Sequence, residues 1–186
     1  MYRQPQVYSS YQKNNLGKVL YKTVLKYKPK KIIDFGVLHG YSTIAMAQGL
    51  KDMGRVGHIT GYDLWQDYPY RHTTKAEAQK NLKKYKVEDF VTLKKKDFYK
   101  WIKKPEEFDL LHLDISNTGD IIDTVVKALK KYIDKGSILI FEGGIPSRDR
   151  VTWMVKYKRK PIYPFKRRLG YKILTKKFPG ISIIKK

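Results

Sequence analysis

The chain contains no cysteine, which excludes disulfides and thiolate metal sites. Nor does it contain an apolar run approaching membrane-spanning length, so no transmembrane segment is expected. The first residues, MYRQPQVYSSYQKNN, lack the apolar core of a signal peptide, and a cytoplasmic protein is the expectation. Internal repeats and low-complexity linkers are missing as well. A single domain over residues 1–186 follows, with residues 1–28 as an N-terminal helical extension. That length suffices to cover a central sheet on both faces.

Negative charge is scarce. Seventeen Asp and Glu stand against 40 Lys and Arg, a formal net charge of +23. Beyond Asp149 no acid remains, while Lys156, Lys158, Arg159, Lys160, Arg167 and Arg168 cluster among Trp153, Tyr157, Tyr163 and Phe165. Such a surface attracts phosphates, nucleic acid or anionic membrane, although Lys filling solvated positions gives the same excess. Charge of this kind bears on association and not on fold.

What is present is an alternation of apolar runs. Leu16, Val19, Leu20, Val24 and Leu25 form a helical stripe over 16–27, closed by Pro29. Strands are expected at 31–35, 57–62, 90–93, 108–113 and 137–141, with helices at 43–53, 75–85 and 121–132 between them. This order implies a mainly parallel sheet with helices on both faces. The tail differs: 171–174 and 181–184 are separated only by a turn with Pro179-Gly180, too short for a parallel crossover. An antiparallel hairpin therefore ends the chain.

In an open α/β sheet, ligands bind beyond the carboxyl ends of the strands. The segment leaving the first strand is Asp34-Phe35-Gly36-Val37-Leu38-His39-Gly40-Tyr41-Ser42-Thr43. Gly36 and Gly40 let the backbone turn sharply and approach a ligand. The next helix offers free N–H groups, with Ser42 or Thr43 as its cap, and Asp34 can receive an ammonium group. The spacing is not G-x-G-x-x-G, so the dinucleotide fingerprint is missing. Asp63, with Leu64 beside it, follows the second strand and can accept from two ribose hydroxyls. Asp97 and Phe98 follow the third, where a carboxylate and a ring suit an adenine. Each of these acids is equally able to be a loop carboxylate or a helix cap.

The segments DFGVLHGYSTIAMA, GYDLWQDYP, KAEAQKNLKKY…LKKKDF and FDLLHLD…GSILIFE together resemble the macrocin O-methyltransferase group of class I methyltransferases. The likeness spans residues 32–142. It implies a three-layer, Rossmann-like α/β fold with a mainly parallel seven-stranded sheet. It also implies S-adenosylmethionine as methyl donor and a hydroxylated small molecule, such as a sugar, as acceptor. Cofactor roles then fall on Asp34, Gly36, Gly40, Tyr41, Ser42, Asp63, Leu64, Asp97 and Phe98. Relatives of this type hold a divalent metal between a carboxylate after strand four and acids after strand five. Asp114 matches the first position, but Phe141-Glu142-Gly143-Gly144 retains only Glu142 of the usual pair. Both could hold Mg²⁺ with waters, or face substrate without metal.

Asp114 is the leading catalytic candidate, as base or metal ligand. His39, His72 and His112 are weaker, His112 as a strand residue bonded internally. The aromatic loop 65–71 can cover the cofactor or shape the acceptor pocket. The basic surface suits an acidic or phosphorylated acceptor. It keeps open a different reading, a nucleic-acid-binding protein on this fold with or without methyl transfer. A cofactor-binding but inactive homologue is the third reading.

Overall fold

The computed structural model describes residues 1–54, 56–68 and 73–186. Helix α1 (Gly17–Tyr27) ends at Lys28, which takes a left-handed conformation just before Pro29. Residues 10–16 form turns, and this N-terminal stretch buries Val7 and Tyr11. Strand β1 (Lys31–Phe35) leads into α2 (Tyr41–Asp52), then β2 (His58–Asp63), α3 (Lys75–Lys84) and β3 (Val91–Lys95). Next come α4 (Phe98–Trp101), β4 (Leu110–Leu113), α5 (Gly119–Ala128), α6 (Lys130–Asp134) and β5 (Ile138–Glu142). The tail carries α7 (Pro146–Asp149), α8 (Thr152–Lys156), α9 (Lys166–Leu169) and the strands β6 (Lys172–Thr175) and β7 (Ile181–Ile184).

The seven strands form one sheet in the order β3-β2-β1-β4-β5-β7-β6. Pairings among β1 to β5 are parallel, and β7 runs antiparallel to both β5 and β6. The expected mainly parallel sheet with a terminal antiparallel hairpin is thus present. Successive strand residues face opposite layers: Ile32 and Leu110 join the core under α1 and α2, while Ile33 and Leu111 join the one under α5. Strands buried on both faces read as continuous apolar runs, which is why β5 and β7 stood out in the sequence.

Two expectations shift. The helix over 121–132 is two helices, broken at Leu129, whose ψ of 7° leaves the helical region. The start of α2 lies at Tyr41 and not at Thr43. Helices α7, α8 and α9 have four or five residues each, too short to show a periodicity.

Candidate functional site

Strand order reverses between β1 and β4, where consecutive connections leave to opposite sides, and a cavity of about 540 Å³ opens beyond their carboxyl ends. Its walls include Gly36, Asp63, Asp97, Phe98, Asp114 and, from the N-terminal stretch, Tyr11. Tyr41, Ser42 and Leu64 also line it. Gly36 has a φ of +91°, and a Cβ there would lie 1.8 Å from the Asp114 carbonyl oxygen. Only glycine lets the ends of β1 and β4 approach so closely.

Asp63 uses both carboxylate oxygens on its own loop. Oδ2 accepts from the Leu38 N–H at 2.8 Å and Oδ1 from the Trp65 N–H at 2.8 Å. These bonds fix its position, and each oxygen keeps a second lone pair for a ligand hydroxyl. Asp97 caps α4, its Oδ1 accepting from the Lys100 N–H at 2.9 Å. The cap and the cavity wall are therefore the same residue.

Asp34, expected to receive an ammonium group directly or through water, sits behind other side chains. It is wholly buried and does not line the cavity. Its Oδ2 accepts from Ser42 Oγ at 3.0 Å and Thr43 Oγ1 at 2.5 Å, and His112 Nδ1 lies 2.7 Å from Oδ1. Ser42 and Thr43 thus serve Asp34, and neither caps α2; the N-cap is Gly40, at φ 93°. Gly40 lies behind the cavity wall, its carbonyl accepting from the Ile44 N–H.

The carboxylate of Asp34 only accepts in its ionised form, so His112 Nδ1 carries a proton toward it. Its Nε2 lies 3.2 Å from the Tyr11 hydroxyl, within hydrogen-bond reach. This chain of buried groups, Asp34–His112–Tyr11, ends at the cavity. Burial, and after it the charges of Asp114, Glu142 and Asp34, hold the Tyr11 phenol well above its ordinary range. Tyr11 is accordingly a neutral hydroxyl. His112 was expected to bond internally, and it does; Tyr11 was not anticipated.

Asp114 lies partly exposed at the cavity, and burial pushes its carboxyl up, against the opposing pull of His112 and Arg148. Glu142 lies outside the cavity lining, almost fully buried, with Arg148 Nε donating to its Oε1. Burial and the neighbouring Asp114 raise it, and Arg148 opposes them. Of the expected Asp114–Glu142 metal pair, one member is thus already matched to a guanidinium. The guanidinium already supplies the countercharge to Glu142, and no group of three or more His, Asp or Glu able to hold a metal exists among the described residues. Two carboxylates with waters are a set that Mg²⁺ takes, and what opposes an ion here is the guanidinium of Arg148 at Glu142.

His39 stays out of the cavity lining, its ring edge-on to Tyr8 at 5.8 Å. In the aromatic loop, Trp65 is buried, its Nε1 donating to the Leu38 carbonyl at 3.3 Å, and Tyr68 reaches the cavity. His72 and loop positions 69–71 lie outside the described residues. A second cavity, of about 660 Å³, shares Tyr68, Phe98, Tyr99 and Ser116 with the first. The basic tail contributes Trp153, Tyr157 and Arg159 to it. No helix among the described residues is long and apolar enough to cross a membrane.

A family model described as a methyltransferase domain matches residues 33–142. No curated protein sequence matches the chain. Among solved structures, the O-methyltransferase TomG from Streptomyces achromogenes, involved in tomaymycin synthesis and bound to SAM, superposes with a TM-score of 0.66. It shares 17% identity, over 97% of this chain and 82% of that one. An O-methyltransferase from Bacillus cereus in complex with SAH gives 0.65 at 19% identity, over 98% of this chain and 84% of that one. The SAH-bound Podospora anserina methyltransferase PaMTH1 gives 0.63 at 20% identity, covering 92% and 77%. These likenesses show a shared fold.

Proposed function

This chain belongs to the methyltransferase-domain family, and on that premise we propose that it methylates a hydroxyl oxygen of a small-molecule acceptor, using S-adenosylmethionine. The observation that carries the reading is the convergence of Asp63, Asp97 and Asp114, each at or just past the end of a different strand, on one cavity at the switch point of the sheet. Solved structures of the same fold are described as bound to SAM or SAH, which supports the choice of donor.

S-adenosylmethionine supplies a methyl group on a sulfonium whose sulfur departs as a neutral thioether. The chain's own residues divide the remaining work. Asp63 would accept from the ribose hydroxyls, while Asp97 would accept from the adenine amino group with Phe98 packed on the ring. The N–H groups at the start of α2 would bind the methionine carboxylate. Asp114 would accept the acceptor's hydroxyl proton, leaving its oxygen free to take the methyl group. Tyr11, fixed through His112, would stand beside it as a neutral hydroxyl that orients the acceptor oxygen. Positioning of this kind removes much of the barrier.

The acceptor is a hydroxylated molecule such as a sugar, with an acidic or phosphorylated group. The net charge of +23 and the acid-free stretch after Asp149 support that choice, since they draw anions toward the protein. The alternative nucleic-acid partner has behind it the same charge and the aromatic residues of the basic tail.

Calorimetry of S-adenosylmethionine and its demethylated product tests the reading, with wild type and Asp63→Ala compared by thermal melt as a control. Micromolar binding that is lost in a folded Asp63→Ala protein is expected. Failure of the wild type to bind either ligand would remove the methyltransferase assignment of this cavity.

A further inference from the structure

Glu142 and Arg148 are both about 95% buried, with relative exposures of 4% and 5%. A lone carboxylate in such a place either takes up a proton or is matched by a cation, organic or metallic. The fold supplies the organic one. Arg148 is carried on α7, whose first residue is Pro146, and its guanidinium carbon sits 5.0 Å from the centre of the Trp153 ring. Its Nε donates to Glu142. The Glu142 backbone carbonyl accepts from Asn117 Nδ2 at 3.0 Å, and the same nitrogen donates to the Leu113 carbonyl at 2.9 Å. The ends of β4 and β5, with Asp114 and Glu142, are thereby locked together.

The arrangement leaves a specific remainder. Glu142 Oε2 and Asn117 Oδ1 are buried acceptors with no hydrogen-bond partner, and Arg148 Nη1 is a buried donor in the same state. Two oxygen acceptors and the nearby Asp114 carboxylate are the hard donor set that a divalent cation takes. A guanidinium held against Glu142 repels such an ion.

We infer that Arg148 is a resident cation standing in for a metal, so that Asp114, Asn117 and Glu142 bind no divalent ion while it is in place. Arg148 is then a positioning residue. It keeps Glu142 turned away from the cavity and leaves Asp114 as the one carboxylate of the pair facing the acceptor. The inference deepens the methyl-transfer reading, on which only this last consequence rests.

Mn²⁺ titration followed by the electron paramagnetic resonance of the free ion tests it, on the full chain with and without S-adenosylhomocysteine. Wild type is expected to leave the free-ion signal unchanged. Arg148→Ser is expected to take up Mn²⁺, and adding Asp114→Asn to abolish the uptake. A purely structural Arg148 would give no such gain. Uptake by wild type that is lost in Asp114→Asn overturns the inference, and so does a folded Arg148→Ser protein that binds no Mn²⁺. Arg148→Met, which preserves much of the side-chain volume, serves as the second variant. Should neither variant fold, the wild-type comparison with Asp114→Asn decides alone: uptake overturns the inference, its absence upholds it. Absent binding of S-adenosylhomocysteine would sink the cofactor reading and leave the metal result standing.

Discussion

His112 Nδ1 lies 2.7 Å from Asp34 Oδ1, with both side chains fully buried at adjacent strands of the sheet. The pair joins the first strand to the fourth and reaches the cavity through Tyr11. Replacing His112 by Leu strips a partner from a buried carboxylate and another from the Tyr11 hydroxyl. A loss of about 3 kcal/mol in unfolding free energy is expected, readable by urea denaturation. A change under about 0.5 kcal/mol, the range of a neutral surface substitution, would show that the network bears no strain on removal.

Gly36 and Gly136 make a controlled comparison. Both have positive φ, +91° and +100°, but a Cβ on Gly36 meets the Asp114 carbonyl while nothing lies within 4 Å of one on Gly136. Gly136→Ala should cost only the backbone strain, roughly 1–2 kcal/mol. Gly36→Ala should cost clearly more, because backbone has to move, and should weaken S-adenosylhomocysteine binding as well. Equal losses in the two variants, measured by denaturation, would mean that the close approach of β1 and β4 is unimportant.

Much of this architecture is written plainly in the chain. Runs such as Ile138–Phe141 are apolar throughout because both faces of the sheet are covered, and the Asp residues ending β2 and following β3 and β4 fall at the cavity for the same topological reason. The residues that were not legible act across long separations. Tyr11 meets His112 from 101 positions away, in a polar stretch with no periodicity to mark it. Arg148 begins a run of basic residues and looks like a solvated cation until Glu142 is seen beside it. The one available signal was a single acid at the end of β5 where a pair was expected, followed six residues later by an arginine. Asp34 misled because its position beside Gly36 suits a ligand contact, while Ser42 and Thr43 return from α2 to occupy it.

Asp149, the last acid of the chain, holds the basic tail. Its Oδ1 accepts from the Ile162 N–H at 3.0 Å and its Oδ2 from the Tyr163 N–H at 2.7 Å. Asp149→Ala should cost about 1–3 kcal/mol, since two backbone donors lose their acceptor. It should also speed tryptic cleavage among Lys156–Arg168 well before the sheet is attacked. Cleavage rates equal to wild type would place the restraint elsewhere, for instance in the buried Ile162 side chain.

The raised carboxyl of Asp114 sets stability and activity in opposition. Burial moves it from 3.8 to about 6, so the folded protein holds this proton more tightly than the unfolded chain does. Stability from the protonated form is complete below about pH 4 and is lost as pH climbs through about 6. Relative to Asp114→Asn, which cannot ionise, wild type should therefore lose of order 2 kcal/mol between about pH 4 and about pH 7. Methyl transfer should move the other way, because only the ionised carboxylate can accept the acceptor's proton; the rate should rise through the same window and be largely lost in Asp114→Asn. Paired melting curves and pH–rate profiles read both trends. A rate that rises with pH equally in Asp114→Asn would assign the titration to another base, with Asp114 then contributing burial strain and no proton transfer.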